Sequence, residues 1–304
     1  MERDDFLARA FSRNLGLLSE DDQQRLMGAR VAVAGAGGVG GLHLLTLARI
    51  GVGKFNIADF DTFDTVNINR QYGAFISTLD KHKGEVMQSM VRDINPFADV
   101  QLFPDGVTLQ NLDIFLKDVD IYVDGIDFFE IDIRRAIFKR CREKGIPALT
   151  SAPLGFGATL QVFMPDSMSF DDYFAIHDGM DQAEKVAAFA VGLAPHPYHI
   201  KYLDLSKVDM AKKRGPALAL ACTQASTLIA TETIKLLTGK GTVRPAPGYL
   251  QIDLLRNKYT QGYLWLGGKN PLQSLKRWII LKKVRAAIKQ DNVPEKESDP
   301  EPQL

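Results

Sequence analysis

Apolar positions along the 304-residue chain follow two rhythms. Short, nearly continuous apolar runs read as strands buried on both faces: "RVAVAGA" from Arg30, "KFNIADFD" from Lys54, "DVQLFPDGV" from Asp99, "DIYVDGID" from Asp120 and "IPALTSAP" from Ile146. Between them the spacing turns helical. "GLHLLTLARIG" ends at Gly51, and "KGEVMQSMVRDINP" puts Val86, Met90, Val91 and Ile94 on one face before Asn95-Pro96 stops it. "LQNLDIFLKDV" predicts a helix over 109–119, and "FFEIDIRRAIFKRCREKG" another that ends at Gly145. Strand and helix thus alternate from Arg30 to Ser151. That order predicts an α/β fold, a Rossmann-like doubly wound and mostly parallel sheet with helices on both faces. Ligands of such sheets lie at the carboxyl ends of the strands, where strand order reverses.

The flanks differ. Residues 1–29 read as helical, with Ser19 as N-cap and Gly28 as stop. After Ser151, "ATLQVFMP" reads as a strand. Residues 166–215 read as an irregular crossover loop that holds Pro195, Pro197, His177, His196 and His199. "GPALALACTQASTLIATETIKLLTG" is a long helix rich in small residues, and "GYLQIDLLRNKYTQGYLWLG" a hairpin that extends the sheet antiparallel. In "NPLQSLKRWIILKKVRAAIKQ", Leu272, Leu275, Ile279, Val284 and Ile288 stand near helical spacing among six Lys/Arg. From Asp291 the tail is acidic and proline-containing, and disorder is expected. The expected organisation is one unit over 1–267, divided into N-terminal helices 1–29, a nucleotide-binding half 30–151 and a substrate and dimer half 152–267. A basic amphipathic helix and acidic tail follow over 268–304.

Composition narrows the function classes. A hydrophobic fraction of 45% supports a large core. Zero net charge provides no basic footprint, so no nucleic-acid partner is expected. Cys141 and Cys222 are the two cysteines and form no CxxC pair, which argues against a disulfide framework and a cysteine-ligated zinc. The chain opens with charges, and no run of ~18 apolar residues occurs, so a cytoplasmic protein without membrane contact is expected.

Gly35, Gly37 and Gly40 fit G-x-G-x-x-G between a predicted strand and a predicted helix. Gly35 permits the tight turn. Gly37 and Gly38 let phosphate oxygens reach backbone N–H groups at the helix start, and Gly40 allows close helix–strand packing. Asp59 follows Gly35 by 24 positions, at the end of the second strand, where a carboxylate accepts from ribose hydroxyls. A nicotinamide or flavin enzyme fits these residues equally well. Asn67, Arg70 and Gln71 then follow directly, with Lys83 at the next helix start. A two-phosphate coenzyme needs few cations. A nucleoside triphosphate needs charge neutralisation, which a guanidinium fork and an ammonium provide.

"GAGGVGG", "DFD" leading into "NINRQ", and a lysine thirteen residues after the arginine resemble the ThiF/MoeB/HesA-type adenylyltransferases, relatives of ubiquitin-activating enzymes, from about Ser12 to Gly239. The resemblance implies ATP as substrate and nucleotide contacts from Gly35, Gly37, Gly38, Gly40, Asp59, Asp61, Asn67, Arg70, Gln71 and Lys83. It implies Mg²⁺ on Asp127, with Asp124 as the nearby alternative. It also implies a homodimer in which Arg13 acts in trans on the γ-phosphate bound by the partner. Arg13, Arg70, Lys83 and Asp127 would carry the catalysis. A carboxylate would attack the α-phosphate and release pyrophosphate. The substrate implied is the C-terminus of a ubiquitin-like or sulfur-carrier protein, a peptide, or a small acid.

Three departures bear on this. No zinc-binding CxxC pairs occur, so no zinc is expected. No cysteine lies in 166–215, so no thioester step is expected. Phe128 stands where the family carries an asparagine. Cys222 reads as a packing residue, while Arg140 and Arg142 beside Cys141 would lower that thiol's pKa. His196 and His199 read as solvated loop histidines, and the C-terminal helix as packing on the core or a partner. Two other functions stay open: an NAD-dependent oxidoreductase, which needs only the glycine loop and Asp59, and a non-catalytic dimeric nucleotide-binding module.

Overall fold

A computed structural model describes residues 2–209 and 215–291 of the chain. Helices α1 (Arg3–Ala10) and α2 (Glu20–Gly28) lead into strand β1 (Arg30–Ala34). There follow α3 (Gly40–Arg49), β2 (Lys54–Ala58), α4 (Lys83–Ile94), β3 (Asp99–Phe103), α5 (Leu112–Phe115), β4 (Ile121–Asp124), α6 (Ile131–Lys144) and β5 (Ala148–Thr150). The second half comprises β6 (Pro153–Leu154), β7 (Gly157–Phe163), α7 (Phe170–Phe174), α8 (Gln182–Leu193), α9 (Ala219–Thr238), β8 (Gly248–Asp253), β9 (Lys258–Tyr263) and α10 (Pro271–Asp291).

The strands form one sheet in the order β3-β2-β1-β4-β5-β7-β8-β9, with β6 paired to β7. From β3 to β5 every pairing is parallel, and from β5 to β9 every pairing is antiparallel. The continuous apolar runs of the first half follow from burial on two sides. Along β1, Val31 and Val33 join a core with Leu44, Phe55, Met87 and Ile229, while Ala32 and Ala34 join the opposite core with Phe115, Tyr122 and Phe138. Helices α3, α4 and α9 cover the first face; α5 to α8 cover the second. Ala34 lies level with Ala58 on β2 and with Asp124 on β4. Order reverses at β1, which has β2 on one side and β4 on the other, so a crevice opens beyond these three ends.

The N-terminal helices are as expected, with a 3₁₀ turn at Ser12–Asn14 between α1 and α2. Some sequence expectations need correction. The helix expected over 109–119 is confined to α5, since Asp118 takes a left-handed conformation (φ 56°) that ends any continuation. Residues 166–215 are not irregular throughout. They contain α7 and the 12-residue α8, whose Asp181 and Glu184 form a reciprocal capping box. The tail expected to be disordered lies, beyond Asp291, outside the described residues. No described helix is long and apolar enough to cross a membrane.

Candidate active site

The chain leaves β1 through Gly35 (φ 86°), whose amide donates to the Ala58 carbonyl on β2. A Cβ on Gly35 would sit 2.1 Å from the Gly125 carbonyl oxygen, and one on Gly40 would sit 1.8 Å from the Gly35 carbonyl oxygen. Gly125, just past β4, is equally constrained: a Cβ there would meet Gly40 Cα at 2.8 Å. These three glycines are required by backbone resting on backbone. Gly37 and Gly38 are not. Their added Cβ atoms would meet Gln71 at 3.5 Å and Cys222 Sγ at 3.4 Å, ordinary contacts. No close packing within the chain therefore demands glycine at Gly37 or Gly38.

Asp59, just past β2, is buried at 8% exposure. Its carboxylate accepts from the Ala36 amide at 2.5 Å and from the Asp61 amide at 2.8 Å. It thus fixes the glycine loop from below. Burial pushes the Asp59 carboxyl up, against the pull of those two amides and of Lys83. Lys83 opens α4, its amide donating to the Asp61 carbonyl at 2.8 Å and its ammonium pairing with the Asp61 carboxylate at 3.0 Å.

The segment around Arg70 curls in a 3₁₀ turn at Thr65–Asn67 and is tied to the start of α9. Asn69 donates to the Ala217 carbonyl, and the Tyr72 and Thr223 hydroxyls meet at 2.9 Å. The Arg70 guanidinium donates to the Val66 carbonyl and to Asn69 Oδ1, both uncharged, each at 2.9 Å. No described carboxylate pairs with it. Gln71 is buried, and its Oε1 has no hydrogen-bond partner among the described residues.

Beyond β4, Asp124 and Asp127 part ways. Asp124 is buried, and its Oδ2 accepts from Arg134 Nε at 2.8 Å and from the Thr150 hydroxyl at 2.9 Å. The same guanidinium donates to the carbonyls of Ile126 and Asp127, shaping the loop. Asp127 is exposed, its Oδ1 accepting from the Phe129 amide at 3.0 Å. Of the two carboxylates, Asp127 is the one whose charge no described cation matches.

All of this borders one cavity of about 930 Å³. Of the sequence-derived site residues, Gly35, Gly37, Gly38, Asp59, Asp61, Arg70, Gln71, Lys83 and Asp127 line it. Gly40 lies behind the loop. Asn67 does not line the cavity and uses its side-chain oxygen to accept from the Asp64 amide. Arg13 is exposed on its 3₁₀ turn and does not line the cavity of its own chain.

Several lining residues escaped the sequence reading. Gly125 had a visible signal, a glycine at a strand end opposite a glycine loop; Arg134 and Phe189 had none. Cys222 is buried as expected but also lines the cavity, with burial pushing its thiol up to about 11 against the nearby Arg70. For Cys141 the expectation reverses: the thiol is buried in the core and burial pushes it up, Lys144 opposing only in part. His199 is not a solvated loop residue. It lines the cavity, and its Nδ1 is buried without a partner among the described residues. His196 instead stacks on Tyr198, with ring centroids 5.4 Å apart. Among the described residues, no group of three or more His, Cys, Asp or Glu gathers to hold a metal ion.

A model described as the ThiF family matches residues 11–267. The chain belongs to the ThiF family. Within that family it is 28% identical over 239 residues to the "Probable adenylyltransferase/sulfurtransferase MoeZ" of Mycobacterium tuberculosis, which covers 76% of this chain and 54% of that protein. It is 33% identical over 142 residues to the tRNA threonylcarbamoyladenosine dehydratase of Bacillus subtilis, covering 46% of this chain and 55% of that protein. The chain therefore spans about half the length of these curated relatives. The fold of this ThiF-family chain is also that of Escherichia coli MccB solved with ATP: TM-score 0.63 at 18% identity, over 86% of this chain and 72% of that one.

Proposed function

We propose that the chain is an ATP-dependent adenylyltransferase. It activates a carboxylate as an acyl-adenylate and releases pyrophosphate, as a cytoplasmic homodimer whose catalytic unit is residues 1–267. What supports this above all is the meeting, in one cavity, of Gly37 and Gly38, whose lack of side chains no close packing in the chain demands, of the Arg70 guanidinium, which no described carboxylate matches, of Lys83 and of the exposed Asp127 carboxylate. The name of the MoeZ relative points the same way. A two-phosphate coenzyme would give Arg70 and Lys83 nothing to do.

In this assignment the backbone from Gly35 to Gly40 cradles phosphates at the start of α3, where helix N–H groups favour an anion. Gln71, whose side-chain nitrogen lies beside Gly37, lines the same cavity. Asp59 receives ribose hydroxyls. Arg70 and Lys83 neutralise the triphosphate, Lys83 remaining tethered by Asp61, and Asn67 holds the turn that presents Arg70. The residues fit a magnesium ion. One exposed carboxylate, Asp127, without a multi-ligand cage, suits a cation bound by a carboxylate or two plus substrate phosphates. Such an ion would supply further neutralisation of phosphate charge. The substrate carboxylate is ionised near neutral pH and needs no base to attack. Its oxygen bonds to the α-phosphorus as the bond to pyrophosphate breaks. Arg13 of one subunit serves the γ-phosphate bound by the other. No thioester step is assigned, because the buried Cys222 thiol, pushed up to about 11, carries little thiolate at neutral pH.

ATP–pyrophosphate exchange with candidate carboxylates tests the assignment. Arg70→Ala and Asp127→Ala are each expected to lower exchange by about 10²-fold or more. Unchanged exchange in either, or thermal stabilisation by NAD and not by Mg-ATP, sinks it.

A further inference from the structure

The cavity has two dissimilar halves. One is the phosphate cradle with its charges. The other begins one residue past Asp127 and is closed by α8 and α10. Its walls include Phe128, Val186, Phe189, Leu193, Ile280 and Val284; of the polar residues that also line the cavity, Thr150 and Ser151 already donate to Asp124 and to the Thr159 carbonyl, while the buried His199 Nδ1 has no partner among the described residues. Phe128 packs on Phe189 at 5.4 Å between ring centroids. Arg134, the cation at its border, has its charge matched by Asp124 and lies over the Phe189 ring, 4.6 Å from its centroid. It therefore holds the wall in place, its own charge already matched.

With the phosphates in the cradle, the ribose at Asp59 and the base beyond it along Phe60 and Val107, this second half is the space left for the body of the group whose carboxylate reacts at the α-phosphate. Apolar walls reward an apolar body and penalise polar groups that find no partner there. A Gly-Gly terminus fits poorly: it brings no side chain to bury, and its peptide N–H and C=O groups would lose water against phenylalanine and valine. We infer that the activated carboxylate carries a bulky apolar or aromatic group next to its carboxyl carbon, either as a small acid or as the last residue of a peptide. This rests on the adenylylating function proposed above.

Exchange measured on the full chain decides it. The panel comprises 3-phenylpropionate and 4-methylpentanoate, short peptides ending in Phe or Leu, a peptide ending in Gly-Gly, and acetate. The apolar carboxylates are expected to exceed the Gly-Gly peptide and acetate in kcat/KM by at least about tenfold. Activity with the free acids alone assigns a small acid; activity with the peptides alone assigns a peptide terminus. Ala190→Phe, which fills this half from α8, is expected to lower kcat/KM for the apolar substrates by about tenfold to a hundredfold relative to acetate. Equal or better exchange with the Gly-Gly peptide or acetate overturns the inference and leaves adenylylation standing. Exchange with none of them, while Mg-ATP still stabilises the protein, overturns it as well. A protein that Mg-ATP does not stabilise at all loses the underlying function too.

Discussion

A Cβ on Gly35 would strike the Gly125 carbonyl oxygen at 2.1 Å, while one on Gly37 would meet only the flexible Gln71 side chain at 3.5 Å. The two glycines of one motif thus answer to different constraints. Gly35→Ala is expected to cost at least about 3 kcal/mol in urea unfolding, from a left-handed φ and a backbone clash together. Gly37→Ala is expected to stay within about 1 kcal/mol of wild type yet lose most thermal stabilisation by Mg-ATP. A Gly37→Ala protein that binds Mg-ATP normally would show that no phosphate uses that space. His43, on α3, is fully buried with both ring nitrogens without a partner among the described residues, and burial pushes it from 6.5 down to about 3. Between those values the unfolded chain binds a proton that the folded chain refuses. Stability therefore rises with pH across that window and is independent of His43 above it. The slope approaches about 1.4 kcal/mol per pH unit. Urea midpoints from pH 4.5 to 8 are expected to show this slope below 6.5, and His43→Leu to flatten it.

At the scale of elements, α8 repays attention because it forms a wall of the cavity and was not legible from its surroundings. Its N-cap Asp181 accepts from the Glu184 amide at 2.8 Å, and Glu184 accepts in return from the Asp181 amide at 3.0 Å. Asp181→Ala is expected to lower stability by about 1 kcal/mol, by the loss of this cap. The exposed pair with Arg285 adds little. A urea midpoint matching wild type would show the cap to be idle. The D-x-x-E pattern ahead of "KVAAFAVGL" was in the sequence. Nearby prolines and histidines carry loop signals that compete with it, and the run's small residues blur any polar face. The alternating first half was legible because both faces of its strands are buried, leaving runs that little else explains. The glycine-loop residues could be read from spacing, since strand, turn and helix occupy consecutive positions. Arg134 and Phe189 could not, because only tertiary packing brings α6 and α8 to the end of β4.

At the scale of the whole molecule, Arg13 lies outside the cavity of its own chain, and its proposed role requires a second copy. Mixing inactive Arg13→Ala with inactive Arg70→Ala protein is expected to restore activity. A hybrid dimer regains one intact site in two, and random pairing makes half the dimers hybrid, so about a quarter of wild-type exchange should return. No recovery on mixing would place Arg13 outside the reaction.

The contact of Gly35, Gly40 and Gly125 has a consequence for traffic. Main chain pressed against main chain leaves the cradle wall no rotamers to change and no slack to take up. Whatever enters or leaves must then be admitted by the facing wall, where α8 and α10 meet through side chains that can part. Amide hydrogens around Ala36 should accordingly exchange far more slowly with solvent than those of α10.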